Sequence, residues 1–242
     1  MEPEELLLEL AREVSVCQKC PLSQTRLKAV PGEGAVGARL MFVGEGPGEN
    51  EDREGRPFIG AAGKFLNQLL RSAGIERRDV FITNIVKCRP PQNRVPASDE
   101  VAACRDYLDA QIAIVQPKII CPLGGPSLNR LLGSQWKISK VRAQVFRKSG
   151  IIYIPLLHPA AALHREELRP TLEADILRLK ELINRDIRED EITDLPSDSP
   201  CAAEAEGKAE GKSVAPQGGR KKDEPQAEAQ TLSLLQLLES QE

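Results

Sequence analysis

Long apolar runs are missing from this sequence. No stretch of its 242 residues approaches the roughly 20 apolar residues that a bilayer span needs. The acidic start Met1-Glu2-Pro3-Glu4-Glu5 precedes no signal-peptide core, so a cytoplasmic chain without a membrane partner is expected. Histidine is nearly absent, with only 2 in the chain. No internal repeat is present. Cysteine, in contrast, is not scarce: 6 of them in a reducing compartment argue for metal or catalysis rather than a disulfide framework.

Charge is unevenly distributed. The net −3 combines a strongly acidic stretch from residue 189 to 242 with a basic balance over residues 1–188. The acidic stretch is rich in Ala, Glu, Gly, Pro and Lys and nearly free of branched or aromatic apolar residues. It cannot bury enough surface to offset its ordering entropy, so disorder is expected there until the closing apolar segment TLSLLQLLESQE. Residues 1–188 are long enough for one sizeable core.

Within that part, apolar runs alternate with amphipathic stretches. Strands are predicted at 39–43, 79–86, 118–123, 141–147 and 151–157, and helices at 3–13, 61–73, 98–115, 125–132 and 170–187. In 61–73, Phe65, Leu66, Leu69 and Leu70 share one face, and Gly74 stops the helix. Such alternation favours right-handed crossovers and a parallel, helix-covered sheet. Only 141–157 reads as a hairpin, turning at Ser149-Gly150. Ligands of such sheets lie beyond the carboxyl ends of the strands, and the loops at 44–60, 87–97 and 158–169 leave those ends.

The first of these loops opens the stretch GEGPGENEDREGRPFIGAAG, residues 44–63. It is a poor phosphate cradle. Gly44, Gly46 and Gly48 lack the dinucleotide-binding spacing, and Gly63-Lys64 lacks the rest of a P-loop. Glu45, Glu49, Glu51 and Asp52 would repel a polyphosphate. A solvated charged turn is the plain alternative, but it leaves Phe58 unexplained. A flat ring beside exposed backbone N–H groups and a carboxylate suits a planar heterocycle with donors and acceptors, such as a nucleobase taken out of its stack.

Cys17-x-x-Cys20 can present two thiols to one metal, and Cys88 and Cys104 are each single. Four thiolates suit zinc, although structural zinc sites usually use two close pairs; one pair plus two distant singles also suits a cubane iron–sulfur cluster. Spacing alone leaves both open. Cys121 lies in an apolar strand and Cys201 in the acidic tail, and neither is assigned to the metal. His158 ends an apolar run and is held extended by Pro159, a position compatible with either a structural or a catalytic role; His164 is expected to be structural. Lys137, Lys140, Arg142, Arg147 and Lys148, with Lys87, Arg89 and Arg94, form a candidate phosphate-backbone track or else a solvated face.

Taken together, these residues resemble the uracil-DNA glycosylase superfamily, most closely its family 4, the iron–sulfur uracil-DNA glycosylases. The resemblance covers about residues 3–188. One motif falls on Gly44-Glu45-Gly46-Pro47-Gly48 with Glu51-Asp52 and Gly55-Arg56-Pro57-Phe58, the other on His158-Pro159-Ala160-Ala161. The family usually has Ala where this chain has Gly46. The chain lacks the Arg-rich insertion ending in a nucleophilic His found in covalently trapping relatives, and has Glu45 where family 5 carries an apolar residue.

The resemblance implies a three-layer α/β/α sandwich with a central parallel four-stranded sheet, over residues 1–188, followed by the tail 189–242. One strand of the 141–157 hairpin then belongs to the core. It implies a [4Fe-4S] cluster on Cys17, Cys20, Cys88 and Cys104. It implies hydrolysis of the N-glycosidic bond of deoxyuridine flipped out of DNA, with Phe58 stacking on uracil, Asn84 pairing with its edge and Gly46 offering backbone. His158 would donate to the oxyanion at uracil O2, Glu45 would serve the water or the cationic sugar, and Glu51 would help exclude the thymine methyl. Leu163 would fill the gap left by the flipped base, and Lys140 and Arg142 would contact DNA. A monomer is expected. The segment around Thr231, Leu234, Leu237 and Leu238 is loosely similar to sliding-clamp-binding motifs but lacks their Gln and aromatics, so a docking helix or no partner is favoured over a clamp. The rival readings are a non-catalytic iron–sulfur nucleic-acid-binding module and a glycosylase of wider base tolerance.

Overall fold

The run Leu40-Met41-Phe42-Val43 is buried along its whole length, as a strand in the middle of a helix-covered parallel sheet must be. A computed structural model describes residues 2–196. The expected disordered tail and the segment considered for clamp binding lie outside the described residues. The strands are β1 (Glu33–Gly34), β2 (Leu40–Gly44), β3 (Phe81–Asn84), β4 (Ile119–Pro122), β5 (Val145–Lys148), β6 (Ile151–Tyr153) and β7 (Ile192–Asp194). The helices are α1 (Pro3–Val16), α2 (Leu22–Thr25), α3 (Glu49–Glu54), α4 (Ala61–Ser72), α5 (Ser98–Ala103), α6 (Arg105–Val115), α7 (Gly125–Leu132), α8 (Ile138–Val141), α9 (Ala160–His164) and α10 (Arg169–Ile183).

The strands form one sheet in the order β1-β3-β2-β4-β6-β5-β7. β3, β2, β4 and β6 are mutually parallel, which is the expected four-stranded core. Among the described residues the sheet is nevertheless seven-stranded, not four-stranded. β1 pairs antiparallel with β3, β5 antiparallel with β6, and β7 parallel with β5. The hairpin stands as read: Ser149 and Gly150 have φ of 48° and 77°, the pair of left-handed residues that matches the twist of a two-residue hairpin. Its second strand, β6, is the fourth core strand. The run expected from residue 141 starts later, because 138–141 form α8.

Side-chain alternation along β2 divides the helices between the two faces. Leu40 and Phe42 pack with Phe65, Leu66, Leu69 and Leu70 of α4 and with Leu172, Ile176 and Leu179 of α10. Each such buried apolar side chain contributes about 1.5–3 kcal/mol of transfer free energy. On the opposite face Thr83 of β3 meets Gln111 of α6, α7 sends Ser127 Oγ to the carbonyl of Val43, and α1 packs on α6. The three layers follow from this. β2 has β3 on one side and β4 on the other, so the chain reverses direction across the sheet at its centre. A crevice opens there beyond the carboxyl ends.

The boundary expected after residue 188 lies too early. Residues 189–194 make a turn and β7, which adds to the sheet edge, and Arg147 of β5 donates to Glu189 and Asp194. Residues 2–196 fall in one compact unit. Among the described residues no helix is long and apolar enough to cross a membrane. A chain ending at residue 188 should be less stable by about 1–2 kcal/mol, and so melt several degrees lower, than one ending at residue 196, because it loses the β7 ladder bonds; equal melting temperatures would rule out a stabilising role for β7.

Candidate active site

β2 ends at Gly44, and the chain must turn sharply to reach α3. Gly44 allows a close approach that no other residue would: a Cβ there would collide with Asn84 Oδ1 and lie 2.6 Å from Phe58 Cζ. Two residues on different elements, β3 and the loop before α4, are thereby brought over one glycine. Phe58 itself has a φ of 50°, a conformation in which a bulky residue is strained. Several contacts hold it. Arg77 donates to the carbonyls of Pro57 (2.6 Å) and Phe58 (3.2 Å) and to Asn67 Oδ1 (3.0 Å). Glu51 Oε1 accepts the N–H groups of Ile59 (2.9 Å) and Gly60 (2.8 Å), capping the start of α4. Gly63 lets that helix lie directly against the Phe58 carbonyl, where a Cβ would overlap it.

The carboxyl end of β6 supplies the other wall. His158 follows it, with its ring centroid 5.6 Å from that of Phe58 and the planes tilted by 35°. His158 Nδ1 accepts the N–H of Ala160 at 3.2 Å, so in the neutral ring the proton sits on Nε2, which is then a donor. Burial pushes the His158 pKa down to about 4, and the nearby Glu51 only partly opposes this. The ring is neutral at physiological pH. Glu45, half-buried in the first turn of the glycine loop, has its pKa raised by burial.

Glu45, Gly46, Glu51, Phe58, Asn84 and His158, all singled out from the sequence, line one cavity of about 450 Å³. Asn84 is buried, and among the described residues its Oδ1 has no hydrogen-bond partner. A buried acceptor without a donor is uncommon in folded proteins and costs about 1–3 kcal/mol. A methyl at Gly46 would meet Val86 Cγ2 at 2.9 Å, so glycine suits the valine behind it.

Some expected residues are placed differently. Leu163 is exposed on α9, beside His164, which lines the cavity. Lys140 is exposed but lines no part of the cavity, and Arg142 is paired with the buried Asp175. The basic run is not a row of free cations: Arg147 is held by Glu189 and Asp194, and Lys148 Nζ bonds the carbonyl of Leu131. Arg89 is turned to Asn93 and Arg94 to Glu100. Lys87, expected on the same track, is fully buried, and burial draws its pKa down to about 8. The acids that engage Arg142 and Arg147 are distant in sequence, which is why a charge run could not reveal them. Sequence reasoning missed Pro90, Asn93, Arg94 and Pro96 as cavity walls; the only signal was their position after a strand end. It also missed Arg77, whose work is done on backbone carbonyls.

The four cysteines come together from three elements. Burial raises the pKa of Cys20, Cys88 and Cys104, the last to about 11, and neighbouring members of the quartet add to the effect in each. N–H groups aim at the sulfurs: Lys19 N at Cys17 (3.5 Å), Lys87 N at Cys104 (3.3 Å) and Arg26 Nη1 at Cys88 (3.0 Å). Donors directed at sulfur are what thiolate ligands require. Among the described residues no three His, Cys, Asp or Glu side chains converge as a single metal ion would need. Cys121 is buried in the apolar layer under α4.

The chain is similar to known proteins over most of its length. The model of the uracil DNA glycosylase superfamily matches residues 31–181. A type-4 uracil-DNA glycosylase of Sulfurisphaera tokodaii is 50% identical over 185 residues, 73% of this chain and 84% of that protein. The corresponding enzyme of Saccharolobus solfataricus is 47% identical, covering 72% of this chain and 85% of its own length. That of Thermotoga maritima is 44% identical, covering 76% and 97%.

The packing of α4 against Phe58 makes Gly63 sensitive. Gly63→Ala should destabilise the protein by about 1–3 kcal/mol, read as a lower melting temperature; an unchanged melting temperature would mean that the turn at Phe58 is not held as described.

Proposed function

The chain belongs to the uracil DNA glycosylase superfamily, and we propose that it removes uracil from DNA by hydrolysing the N-glycosidic bond, leaving an abasic site. The observation that carries this reading is the partnerless Oδ1 of Asn84 in the wall of a cavity that also holds Phe58 and His158. Uracil offers an N3–H donor between two carbonyl acceptors. Asn84 Oδ1 accepts that N–H and its amide donates to O4. Cytosine reverses both groups, so each would face its like, at about 1–3 kcal/mol for every buried group left unpaired.

Phe58 stacks on the extruded base. His158 Nε2–H then points to uracil O2, where negative charge grows as the bond to the sugar breaks. A neutral donor in a dry site stabilises such charge without giving up its proton, and removing one donor of this kind typically costs about 10²–10³ in rate. Glu45 faces the sugar side, where its carboxylate stabilises the cationic anomeric carbon or orients the attacking water. Glu51, fixed by the N–H groups of Ile59 and Gly60, stands beside the base and helps exclude a 5-methyl group. The exposed Leu163 fills the stack once the nucleotide has left it. Arg94 and His164, at the cavity walls, are better placed than Arg142 to meet the flipped nucleotide.

Cys17, Cys20, Cys88 and Cys104 would hold a [4Fe-4S] cluster. A cubane spreads its ligands over four irons and so does not ask them to converge on one point. Bound there, it would cross-link the N-terminal segment to the loop after β3 and the α5–α6 junction; hydrolysis of the glycosidic bond itself moves no electrons. We propose that it acts on chromosomal DNA in the cytoplasm, as a monomer.

Incubation with uracil-containing oligonucleotides, followed by alkali cleavage, tests the reading: the wild type should yield strand breaks at uracil, and Asn84→Ala should lose most of them. A wild type that leaves no abasic product would refute the enzyme, and full activity in the variant would refute the role of Asn84. The pH profile separates the two acid–base groups. Glu45 has a pKa raised above 4.5, so kcat/KM should fall as pH drops through that raised value and the carboxylate is lost. His158, lowered to about 4, stays neutral across this range. Glu45→Gln should therefore abolish the acid limb, whereas His158→Ala should lower the rate by about 10²–10³ at every pH and keep it.

A further inference from the structure

Asn84 can present its amide to a base only if its own backbone is held at the strand end. β3 stops there, so the Asn84 carbonyl has no further ladder partner and must find a donor. That donor is Lys87 Nζ, at 2.8 Å. The same ammonium donates to Thr83 Oγ1 and Gln111 Oε1, both at 2.7 Å. Its three protons are thus spent on three neutral oxygens, and among the described residues no carboxylate accepts from it. Taking an ammonium out of water is costly, and an apolar side chain of similar length would fill the space without that cost. What the lysine adds is direction: charge-assisted bonds are roughly twice as strong as neutral ones, and these three fix two consecutive residues of β3 against α6.

The rest of Lys87 is anchored beside the cysteines. Its N–H donates to Cys104 Sγ at 3.3 Å, its carbonyl accepts from Val30 N at 2.7 Å, and Cys88 is the next residue. One residue therefore touches the cysteine quartet with its backbone and the base-reading residue with its side chain.

Resting on the uracil-excision reading above, we propose that Lys87 is a positioning residue: from the cysteine loop it fixes the end of β3 so that the Asn84 amide faces the uracil edge. It touches no substrate and acts through Asn84. The consequence is that the cysteine site supports catalysis by holding the loop that holds Asn84, without any electron transfer.

The test is a double-mutant cycle on the iron-loaded, full-length protein, using a single-stranded uracil oligonucleotide. Lys87→Met should lower kcat/KM by about tenfold to a hundredfold, the scale found for residues that support a site. Iron content and visible absorbance should be retained, and inhibition by free uracil should weaken, since the base contact itself is disturbed. In an Asn84→Ala background the same substitution should change kcat/KM by less than about twofold, because coupled residues are not additive. Undiminished activity of Lys87→Met, unchanged uracil inhibition, or an equal loss in both backgrounds would overturn the proposal. Should Lys87→Met fail to fold or to hold iron, Thr83→Val removes one acceptor and leaves the charge; it must show a smaller loss that again vanishes with Asn84→Ala, and its absence would overturn the proposal as well. A wild type inactive on uracil DNA strikes the glycosylase reading itself, whereas an active wild type with an indifferent Lys87 strikes only this inference.

Discussion

The site depends on one uncommon backbone state, the left-handed conformation of Phe58. A bulky residue keeps such a conformation only where its surroundings over-determine it. Here the constraint comes from every side: Gly44 beneath the ring, Gly63 against the carbonyl, Arg77 on the carbonyl oxygens of Pro57 and Phe58, and Glu51 on the next two N–H groups. Arg77 is itself set by Glu33, which also takes a bidentate bond from Arg56. β1, which carries Glu33, is only two residues long, yet it places the carboxylate that steadies the clamp. The glycines of the loop are thus points where side chains from other elements close on the backbone.

Burial then decides the chemistry. It keeps His158 neutral, so that its Nε2–H is a donor without a positive charge, and it raises the pKa of Glu45 above that of an exposed glutamate. The same burial leaves Asn84 Oδ1 unsatisfied and Lys87 surrounded by neutral oxygens. These groups are held away from water at a cost to stability. On the function proposed above, an acceptor such as Asn84 Oδ1 stays unpaired until the base arrives.

Much of this was legible in the sequence, and the misses have physical causes. The four core strands announce themselves because strands buried on both faces read as continuous apolar runs, and the helix at 61–73 because its apolar residues fall on one face. β1 and β7, of two and three residues, are too short to carry a period. β7 also lies just after a helix, in residues whose acidity reads as the start of a disordered tail; its acids instead pair with Arg147. Lys87 and Arg142 read as DNA contacts because cations are usually at the surface. Nothing local says that one would find three buried oxygens and the other a buried aspartate.

By itself, the sequence determined the alternation of strands and helices, and with it the parallel core and the crevice at its carboxyl ends. It also determined the residue types of the site, since glycine, phenylalanine, asparagine, histidine and glutamate are each chosen for a capacity that belongs to the side chain. Only the tertiary structure decided which of these capacities is used. The proton of His158 sits on Nε2 because Ala160 takes the other nitrogen, Asn84 keeps an unpaired Oδ1 while Lys87 takes its backbone carbonyl, and Arg142 and Arg147 of the basic run are neutralised by acids far along the chain. Type is a local property; protonation, pairing and exposure depend on what the fold brings within reach.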